Sequence, residues 1–370
     1  MMAASFWHGG LCVDEFHGGE LPSRVDIVVV GGGLSGVSLL YWLTKLFGSS
    51  KRILLLERKH LAAGATGRNG GHLRPINDHE TMCAAEIIKT LRDHQLEEET
   101  ELFLHSEAPL AAQIHPAKLV LALANVSLRT KGTTILTNTR VLNIKKNLAA
   151  PDQILVNTSR GAVTCSFVSI CTNAYAADII PSLRGSIIPT RGQCIVTQPL
   201  SADTPLIFQT NSTFTDPDGS SLYIIQRHLD RRVVAGGFRR KVLGAESGLT
   251  NDDEVNPEIS KFLSKWIDSD DRIIKGGNKL KVEAEWTGIM GFTPDSKPLV
   301  GPLDEEAGIY ISAGFNGHGM PVCFWASKAI ALMIKNHKNP NPSSFLPPEL
   351  ADFISEWSPT RKISTPTSKL

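Results

Sequence analysis

Residues 25–36 read Val-Asp-Ile-Val-Val-Val-Gly-Gly-Gly-Leu-Ser-Gly, and the β-branched run before the first glycine predicts a parallel strand buried on both faces. Gly31, Gly33 and Gly36 have the spacing G-x-G-x-x-G, in which the first glycine allows a tight turn. The second lets the backbone approach a pyrophosphate, and the third lets a helix pack against the strand. The helix predicted to begin near Leu34 points its first N–H groups at the phosphates. The stretch predicts a dinucleotide site, with an ordinary glycine-rich turn as the alternative.

A second predicted strand, residues 52–56, ends in an acidic residue, Glu57. Its carboxylate lies about 20 residues beyond the last glycine of the turn, where an acidic side chain bonds the ribose hydroxyls of a dinucleotide. Strand, glycines, helix, strand and acid in this order indicate a complete βαβ nucleotide-binding unit, which the glycine triplet alone would not.

The composition favours some classes of protein and excludes others. The chain has 370 residues, enough for about two domains. Its 38 basic and 37 acidic side chains nearly cancel, so nothing indicates nucleic acid or an anionic membrane as a partner. No apolar run reaches the ~18 residues of a transmembrane helix, and residues 1–10 lack a secretory pattern. The six cysteines have no metal-binding spacing, so we expect buried free thiols and no metal site.

The last three residues, Ser368, Lys369 and Leu370, form the peroxisomal address S-K-L, and a polar segment precedes them. A chance tripeptide is the alternative. We expect localisation in the peroxisome, with the peroxisomal import receptor as a partner; without import the protein would be cytoplasmic.

Periodicity predicts a β-rich middle between two regions of alternating strands and helices. A short strand at 309–312 leads into Gly-Phe-Asn-Gly-His-Gly (314–319) and an apolar helix at 320–335, which repeats the order seen near the N-terminus. We expect both ends to form one discontinuous cofactor domain, and the residues beyond 336 to lie over its surface. Other helices are predicted at 80–99, 116–131 and 257–268, and other strands at 133–145, 153–156, 162–171, 192–197, 222–227, 232–236 and 279–286.

Two further glycine-rich loops favour FAD over a nicotinamide cofactor. Residues 63–71, Ala-Gly-Ala-Thr-Gly-Arg-Asn-Gly-Gly, follow Glu57 closely and offer many backbone amides, and the cluster at 314–319 adds more. A nicotinamide enzyme needs only the first βαβ unit, whereas a longer, permanently held FAD makes more contacts. A nicotinamide dehydrogenase is the alternative, and it predicts no tightly bound chromophore.

These two loops and three other segments resemble the D-amino-acid-oxidase-type (DAO) family of FAD-dependent oxidoreductases, and in particular a fungal branch and γ-glutamylputrescine-oxidase-like enzymes. The resemblance runs from about Phe6 to Lys335, and its motifs are specific when taken together. The motifs are A-T-G-R-N-G-G-H at 65–72, T-N-A-Y-A at 172–176, P-T-R-G-Q at 189–193, W-T-G-I-M-G-F-T-P-D at 286–295 and G-F-N-G-H-G-M at 314–320.

The resemblance implies an α/β fold. A doubly wound, Rossmann-like FAD-binding domain, discontinuous in sequence and of the glutathione-reductase-like type, is joined to a β-rich substrate domain. The implied FAD-binding domain comprises residues 1–75, 114–185 and 292–340, the shortened substrate domain residues 76–113 and 186–291, and a C-terminal tail with the peroxisomal signal residues 341–370.

The family also implies a role for each cofactor-site residue. The turn at Gly31 holds the pyrophosphate, which also passes Thr172. Glu57 bonds the adenosine ribose, and the backbone at Val141 meets the adenine. The loop around Arg68 runs beside the flavin ring, and the last helix points its positive end at a flavin carbonyl, which stabilises the anionic reduced flavin. The implied FAD contacts are Gly31, Gly33, Leu34, Ser35, Gly36, Glu57, Arg58, Thr66, Gly67, Arg68, Asn69, Gly70, Gly71, Val141, Thr172, Gly314, Asn316, Gly317, His318, Gly319 and Met320.

The candidate catalytic and pocket residues are His318, Arg74 and Met290. His318 either serves the flavin edge or only caps the helix that follows it, and Arg74 either faces substrate or is a surface charge. Arg191 and Gln193 either cross the active-site floor or make structural hydrogen bonds.

Three other arginines have a simpler interpretation. For Arg68, a surface charge is the alternative to a place beside the flavin. Arg227 and Arg239 lie in or near predicted hairpin strands, and we expect both to be solvated.

Two positions depart from the family pattern for amino acid substrates. Glycine and D-amino-acid oxidases hold the substrate carboxylate with an arginine, where this chain has Met290, and monomeric sarcosine oxidase does so with a lysine, where this chain has Pro321. Neither side chain makes a charge-assisted bond to an anion. We therefore expect an amine, an N-substituted amine or a larger natural product as substrate. Gly288 replaces a flavin-tethering cysteine, so we expect non-covalent FAD.

The substrate domain is shorter than in the family. About 40 residues separate His72 from the segment at 113–116, where relatives carry a long insert, and residues 97–107 resemble a splice over missing secondary structure. Either the pocket is naturally compact, or the sequence is degenerate or mispredicted.

The leading hypothesis is oxidation of an amine C–N bond by hydride transfer to FAD, with dioxygen as the acceptor and hydrogen peroxide as a product. The substrate class includes secondary metabolites. An FAD dehydrogenase with another electron acceptor and a non-catalytic flavin-binding protein are the alternatives.

Overall fold

In the computed structural model of the chain, the described residues are 5–11, 16, 18–107, 110–147, 150, 152–201, 212–269, 280–304, 308–339 and 341–361. The predicted peroxisomal signal, Ser368–Lys369–Leu370, and one of the cysteines, Cys12, lie outside these residues. Peroxisomal localisation therefore stays a prediction.

The chain forms two compact units. The first unit comprises Met1–Leu11, Gly64–Lys118 and Pro189–Ile289, and the second unit comprises Cys12–Ala63, Leu119–Ile188 and Met290–Leu370. The predicted domain limits differ from these units in several segments. Residues 1–11, 64–75 and 114–118, predicted in the FAD-binding domain, group with the first unit, and residues 186–188 and 290–291, predicted in the substrate domain, group with the second unit. Within the first unit, the Trp7 and Trp286 indole N–H groups donate to the Asn69 and Arg68 carbonyls.

The helices and strands alternate along the chain as follows. The helices are α1 (Leu34–Phe47), α2 (Asp78–Asp93), α3 (Pro116–Leu128), α4 (Ala176–Ile179), α5 (Pro257–Ser269), α6 (Gly319–Lys335) and α7 (Pro348–Ser355). The strands are β1 (Ile27–Val30), β2 (Ile53–Leu56), β3 (His72–Leu73), β4 (Phe103–Glu107), β5 (Leu110–Gln113), β6 (Thr133–Leu136), β7 (Val141–Lys146), β8 (Ile154–Thr158), β9 (Gly161–Cys165), β10 (Phe167–Ile170), β11 (Ile188–Thr197), β12 (Ser212–Thr215), β13 (Ser221–Gln226), β14 (Val233–Gly237), β15 (Val282–Phe292), β16 (Leu299–Asp304) and β17 (Ile309–Ala313).

The second unit is built on a six-stranded sheet with the order β16-β17-β10-β1-β2-β6. β1 lies parallel to β2 and β10, and β17 lies parallel to β10, whereas the edge strand β16 is antiparallel. Every residue of β1 and β2 is buried, as expected of short apolar strands inside a parallel sheet. Helices α1 and α6 pack together, and the Trp42 indole N–H donates to the Phe324 carbonyl at 3.0 Å. A separate sheet, β7-β8-β9, belongs to the same unit.

The first unit contains a five-stranded antiparallel sheet, β12-β13-β14-β11-β15, and a small sheet, β3-β5-β4. Residues alternate between the two faces of the larger sheet, so that Ile195 and Ile224 pack with Leu263 of α5 on one face. The opposite face carries Cys194 and Tyr223, each in register with Gly236. The predicted α/β fold class, with a largely parallel sheet and a β-rich second part, is confirmed.

Three predicted elements are corrected. The predicted strand at 162–171 is two strands, β9 and β10, which belong to different sheets. The predicted helix at 80–99 ends at Asp93, because Gln95 has the left-handed backbone angle φ +58° and the Leu96 amide closes a turn on the Leu91 carbonyl. The residues beyond 336 do more than lie over the surface. They form α7, whose Leu350 is fully buried.

Candidate functional site

The glycine turn after β1 is a place where side chains do not fit. Gly31 has φ +112°, which is strained for other residues, and a Cβ atom there would lie 2.6 Å from the Cys171 carbonyl oxygen. A Cβ atom at Gly36 would overlap the Gly31 carbonyl oxygen. The backbone therefore packs against itself, and the glycine spacing is a steric requirement of this turn.

The second unit's sheet has five parallel strands, β17, β10, β1, β2 and β6, which end at the same edge, and four of them lead into predicted site residues. β1, β2, β10 and β17 run in one direction, so the residues that follow them lie at their common carboxyl edge. Ligands of open α/β sheets bind at this edge. The residues that the structure brings there are Gly31, Glu57, Thr172 and Gly314.

Glu57 is held by the backbone of the turn. Its carboxylate accepts hydrogen bonds from the Gly32 amide at 2.7 Å and from the Lys59 amide at 2.8 Å. A carboxylate has about four acceptor positions, so lone pairs remain for the ribose hydroxyls that the sequence analysis assigned to it. The arrangement orients Glu57 before any ligand binds.

The start of α1 presents its amides without a side-chain cap. Its N-cap is Gly33, which has no side chain and leaves the positive end of the helix to another partner. The Ser35 hydroxyl points elsewhere, because it bonds the Ser312 hydroxyl of β17 at 2.8 Å. Ser35 can therefore serve a pyrophosphate through its backbone amide.

The turn after β10 holds the C-terminal glycine loop in place. Asn173, with φ +46°, accepts hydrogen bonds from the amides of Gly314 and Phe315 at 2.9 and 3.3 Å. The side-chain oxygen of Asn316 accepts one from the Thr293 amide at 2.8 Å. Asn173 was not among the predicted site residues, although it belongs to the T-N-A-Y-A motif.

For other predicted site residues of the second unit, the described part of the chain shows the surroundings of the side chain but no contact that points to a cofactor. Val141 is a buried residue at the start of β7. The Arg58 guanidinium lies over the Tyr175 ring at 3.9 Å from the ring centroid. His318 is the N-cap of α6, but its side chain makes no capping bond, so the interpretation as a mere cap loses its main support. Met290 lies beside Gly317, where an added Cβ atom would be 3.2 Å from its sulfur.

In the first unit, Arg68 is buried, which excludes the surface-charge alternative. Its Nε lies 3.3 Å from the Asp252 carboxylate, and Nη1 donates to the backbone carbonyls of Asp252 and Thr287, each at 2.9 Å. The pairing largely neutralises the guanidinium charge. Arg68 therefore acts mainly as a structural anchor for its own loop.

The predicted flavin loop, residues 66–71, has a fixed backbone. The Asn69 side chain donates to the Thr66 carbonyl and accepts from the Gly71 amide, both at 2.7 Å. Gly71 has φ +76°, and a Cβ atom at Gly70 would lie 2.6 Å from the Tyr223 ring. The loop thus rests on the sheet face that carries Tyr223.

Three polar side chains that were not predicted to lie together are found at that face: Tyr223, Cys194 and His72. The Tyr223 hydroxyl lies 2.9 Å from the Cys194 sulfur, passing over Gly236, where any side chain would clash with the phenol. His72 packs edge-on against the Tyr223 ring, and burial lowers its pKa to about 3. Burial raises the pKa of Cys194 to about 12. Strand alternation around Tyr223 was the available signal.

The arginines of the sheet are structural. Arg191 pairs with the buried Glu246 at 2.5 Å, and Gln193 bonds Ser260 at 2.8 Å, on the face that α5 covers. Arg227 is also buried, which corrects the expectation that it is solvated. Its partners are Glu101 and Asp230. Arg239 is half-buried.

The described residues of the shortened region are hydrogen-bonded into the first unit. Gln113 of β5 donates to the Gln226 carbonyl at 3.1 Å and accepts from the His228 amide at 2.8 Å, so β5 is joined to the end of β13. Arg74, just after β3, is half-buried and donates to Thr213 at 2.6 Å. A naturally compact pocket stays a prediction.

The family model for FAD dependent oxidoreductases (DAO) matches residues 26–106 and 85–333. The chain belongs to this family. The match breaks into two segments that overlap at 85–106, within the region expected to be shortened. The family, the enzyme class and dependence on FAD were predicted correctly; the fungal branch stays a prediction.

Relatives in the DAO family cover most of the chain. Gamma-glutamylputrescine oxidoreductase of Escherichia coli (strain K12) is 24% identical over 84% of this chain and 83% of its own length. Glycine oxidase of Geobacillus kaustophilus (strain HTA426) is 23% identical over 81% of this chain and 90% of its own length. The crystal structure of glycine oxidase from Geobacillus kaustophilus superposes with a TM-score of 0.69 and 19% identity, covering 93% of this chain and 100% of the other, which shows the fold.

The residues present fit the FAD of the DAO family. The backbone cradle at Gly31 and Gly36 admits no Cβ atom, and the uncapped start of α1 favours a phosphate. The Thr172 hydroxyl, at the same sheet edge, is buried and has no hydrogen-bond partner. Within the described residues, no cluster suited to a metal ion and no helix able to cross a membrane is found.

Proposed function

We propose that the chain oxidises a C–N bond of an amine or N-substituted amine and passes the electrons to dioxygen. The observation that supports the proposal is the carboxyl edge of the parallel sheet, where Gly31, Glu57 and Thr172 follow three parallel strands in a member of the DAO family. Bound FAD supplies a hydride acceptor that dioxygen reoxidises, with release of hydrogen peroxide.

In this proposal, residues of the second unit bind and orient the cofactor. The turn at Gly31 and the start of α1 hold the pyrophosphate, and Glu57 bonds the adenosine ribose. Asn173 and Asn316 fix the C-terminal glycine loop, so that the positive end of α6 has a defined direction. The chemistry then depends on orientation and electrostatics, since a neutral amine needs no obligatory acid or base.

Non-covalent binding of FAD is part of the proposal. A Cβ atom at Gly288 would lie 2.8 Å from the Arg68 Cβ atom, so the position that holds a tethering cysteine in sarcosine oxidase has no room for one here. Among the described residues, the five cysteines are free and buried. Burial raises the pKa of Cys171 to about 11 and that of Cys165 to about 12, so neither is a reactive thiolate.

The substrate class follows from two apolar positions. Met290 and Pro321 stand where related enzymes place a carboxylate-binding cation, and Pro321 is buried in α6. Arg68 is committed to Asp252. We therefore propose that a substrate carboxylate is not required and that the amine is recognised through its carbon skeleton.

Peroxide release from matched substrate pairs tests this proposal. Holoprotein of confirmed FAD content is assayed with N-methyl amines and with N-methyl amino acids of the same carbon skeleton, so that each pair differs only in the carboxylate. We expect turnover of at least one amine and no gain from the carboxylate. A strict preference for the carboxylate-bearing members would contradict the amine assignment. Reduction without peroxide would indicate another electron acceptor, and FAD without reduction would indicate a non-catalytic protein.

A further inference from the structure

The N-terminal segment is bonded to the predicted flavin loop. Ser5 and Trp7 are buried, at 3% and 2% exposure, and Trp7 lies in a single helical turn, Phe6–His8. The Ser5 hydroxyl donates to the Gly67 carbonyl at 2.5 Å, and the Trp7 indole N–H donates to the Asn69 carbonyl at 2.6 Å. We propose that this N-terminal clasp, residues Ser5–Phe6–Trp7, positions the flavin loop and so controls how tightly the protein retains FAD.

The two hydrogen bonds determine which way the loop presents its peptide groups. In a planar trans peptide the carbonyl and the next N–H point in opposite directions. Anchoring the Gly67 and Asn69 carbonyls on the clasp therefore turns the N–H groups of Arg68 and Gly70 away from it. Trp286 anchors the intervening Arg68 carbonyl at 2.9 Å. Three consecutive carbonyls of the loop thus accept from side chains.

Packing adds a steric restraint at the end of the loop. A Cβ atom at Gly71 would lie 3.0 Å from the Trp7 ring, and Gly71 has φ +76°. The His115 ring contacts Trp7 edge-on, with centroids 4.9 Å apart. Gly71 therefore allows the loop to pack directly against the Trp7 indole.

Two arginines contact the aromatic rings of the clasp. The Arg227 guanidinium lies 5.1 Å from the centroids of both the Phe6 and Trp7 rings, and it is oriented by Glu101 at 3.0 Å. Arg232 lies 5.5 Å from the Phe6 ring. Cation–π contacts with a buried arginine stabilise the position of both rings.

The experiment compares two tryptophans that lose the same indole hydrogen bond. Trp7→Phe removes the bond to the flavin loop, and Trp42→Phe removes the bond to the Phe324 carbonyl between α1 and α6, at 3.0 Å. Both rings are buried. FAD affinity is measured by flavin fluorescence titration of apoprotein, and the melting temperature of each apoprotein is measured in parallel.

We expect Trp7→Phe to weaken FAD binding by about 5- to 10-fold, because a loop released from the clasp must be ordered when FAD binds, at a cost close to that of one hydrogen bond. Trp42→Phe should leave the affinity unchanged at a similar loss of melting temperature. Ser5→Ala, which keeps Trp7, gives the same direction of change if Trp7→Phe yields too little folded protein. Unchanged affinity in both clasp variants, or equal weakening by Trp42→Phe, would overturn the clasp. The inference rests on the proposed function, but failure of the wild-type protein to bind FAD would refute that function instead.

Discussion

Gly36 shows how much of the cofactor site depends on one missing methyl group. It lies in the first turn of α1, and a side chain there would overlap the Gly31 carbonyl oxygen. Because backbone atoms cannot give way as a flexible side chain can, the overlap must move the helix off the turn.

Gly36→Ala is expected to lower the free energy of unfolding by about 1 to 3 kcal/mol and to weaken FAD binding at least about ten-fold. The matched control is Gly18→Ala, since nothing lies within 4 Å of a Cβ atom at Gly18. Urea unfolding and FAD titration measure the two effects. Equal behaviour of the two variants would contradict the steric argument.

His72 makes the stability of the first unit sensitive to acid. Its Nε2 atom is buried without a hydrogen-bond partner, and burial, with smaller contributions from Arg74 and His105, lowers its pKa to about 3. Between pH 6.5 and about 3, the unfolded chain binds a proton at this imidazole and the native chain does not. The free energy of unfolding therefore falls as the pH falls through this window.

His72→Leu is expected to flatten this pH dependence. As the pH drops from 7 to 4.5, the free energy of unfolding should fall less in the variant than in the wild type. Urea unfolding at a series of pH values checks the slope. His79→Leu, which changes an exposed histidine of α2, is the control and keeps the wild-type slope. A wild-type slope in His72→Leu would show that this imidazole does not stay neutral in the native state.

In β11, strand periodicity predicts which face of the sheet each side chain occupies, but not which residues it contacts there. Alternation places Arg191 and Gln193 on one face and Cys194 on the other. Which face α5 covers depends on a helix more than 60 residues away, at Pro257–Ser269, and on Glu246. The sequence alone therefore left both the active-site and the structural interpretation of Arg191 open. The structure decides for the structural one.

Arg191→Met is expected to destabilise the protein by about 3 to 5 kcal/mol, because it leaves the Glu246 charge buried without its partner. The FAD content of the folded fraction should not change. Urea unfolding measures the first effect and absorbance the second. Lys89→Met, which breaks an exposed pair on α2, is the control, with a cost below about 1 kcal/mol. Unchanged stability with a raised KM would instead place Arg191 in the active site.

Local signals predict elements better than they predict element ends. The glycine turn, α1, β2 and Glu57 follow from sequence because each is set by neighbours a few residues away. Helix α2 ends early at Asp93 because Gln95 adopts a left-handed backbone conformation. That conformation is usually signalled by a glycine, which is absent at this position. Helix α7 was missed because its burial depends on packing against α6.

At the scale of the whole molecule, the identity of the cofactor is easier to predict from sequence than the contacts that hold the cofactor-site loops in place. The parallel strand ends and the family motifs are separate local signals that agree on FAD. Contacts such as Trp7 with Asn69 join residues 62 positions apart, and no spacing rule indicates them. The contact between Tyr223 and Cys194 across Gly236 likewise depends on the register of three strands, β13, β14 and β11.

Whether this protein holds FAD and reduces it with an amine is decided by the FAD content of the purified chain, followed by anaerobic addition of amines. We predict a yellow protein with equimolar FAD that acid releases, and loss of the visible flavin band with at least one amine before air restores it. A colourless protein that stays colourless after incubation with FAD would contradict the assignment of FAD as its cofactor.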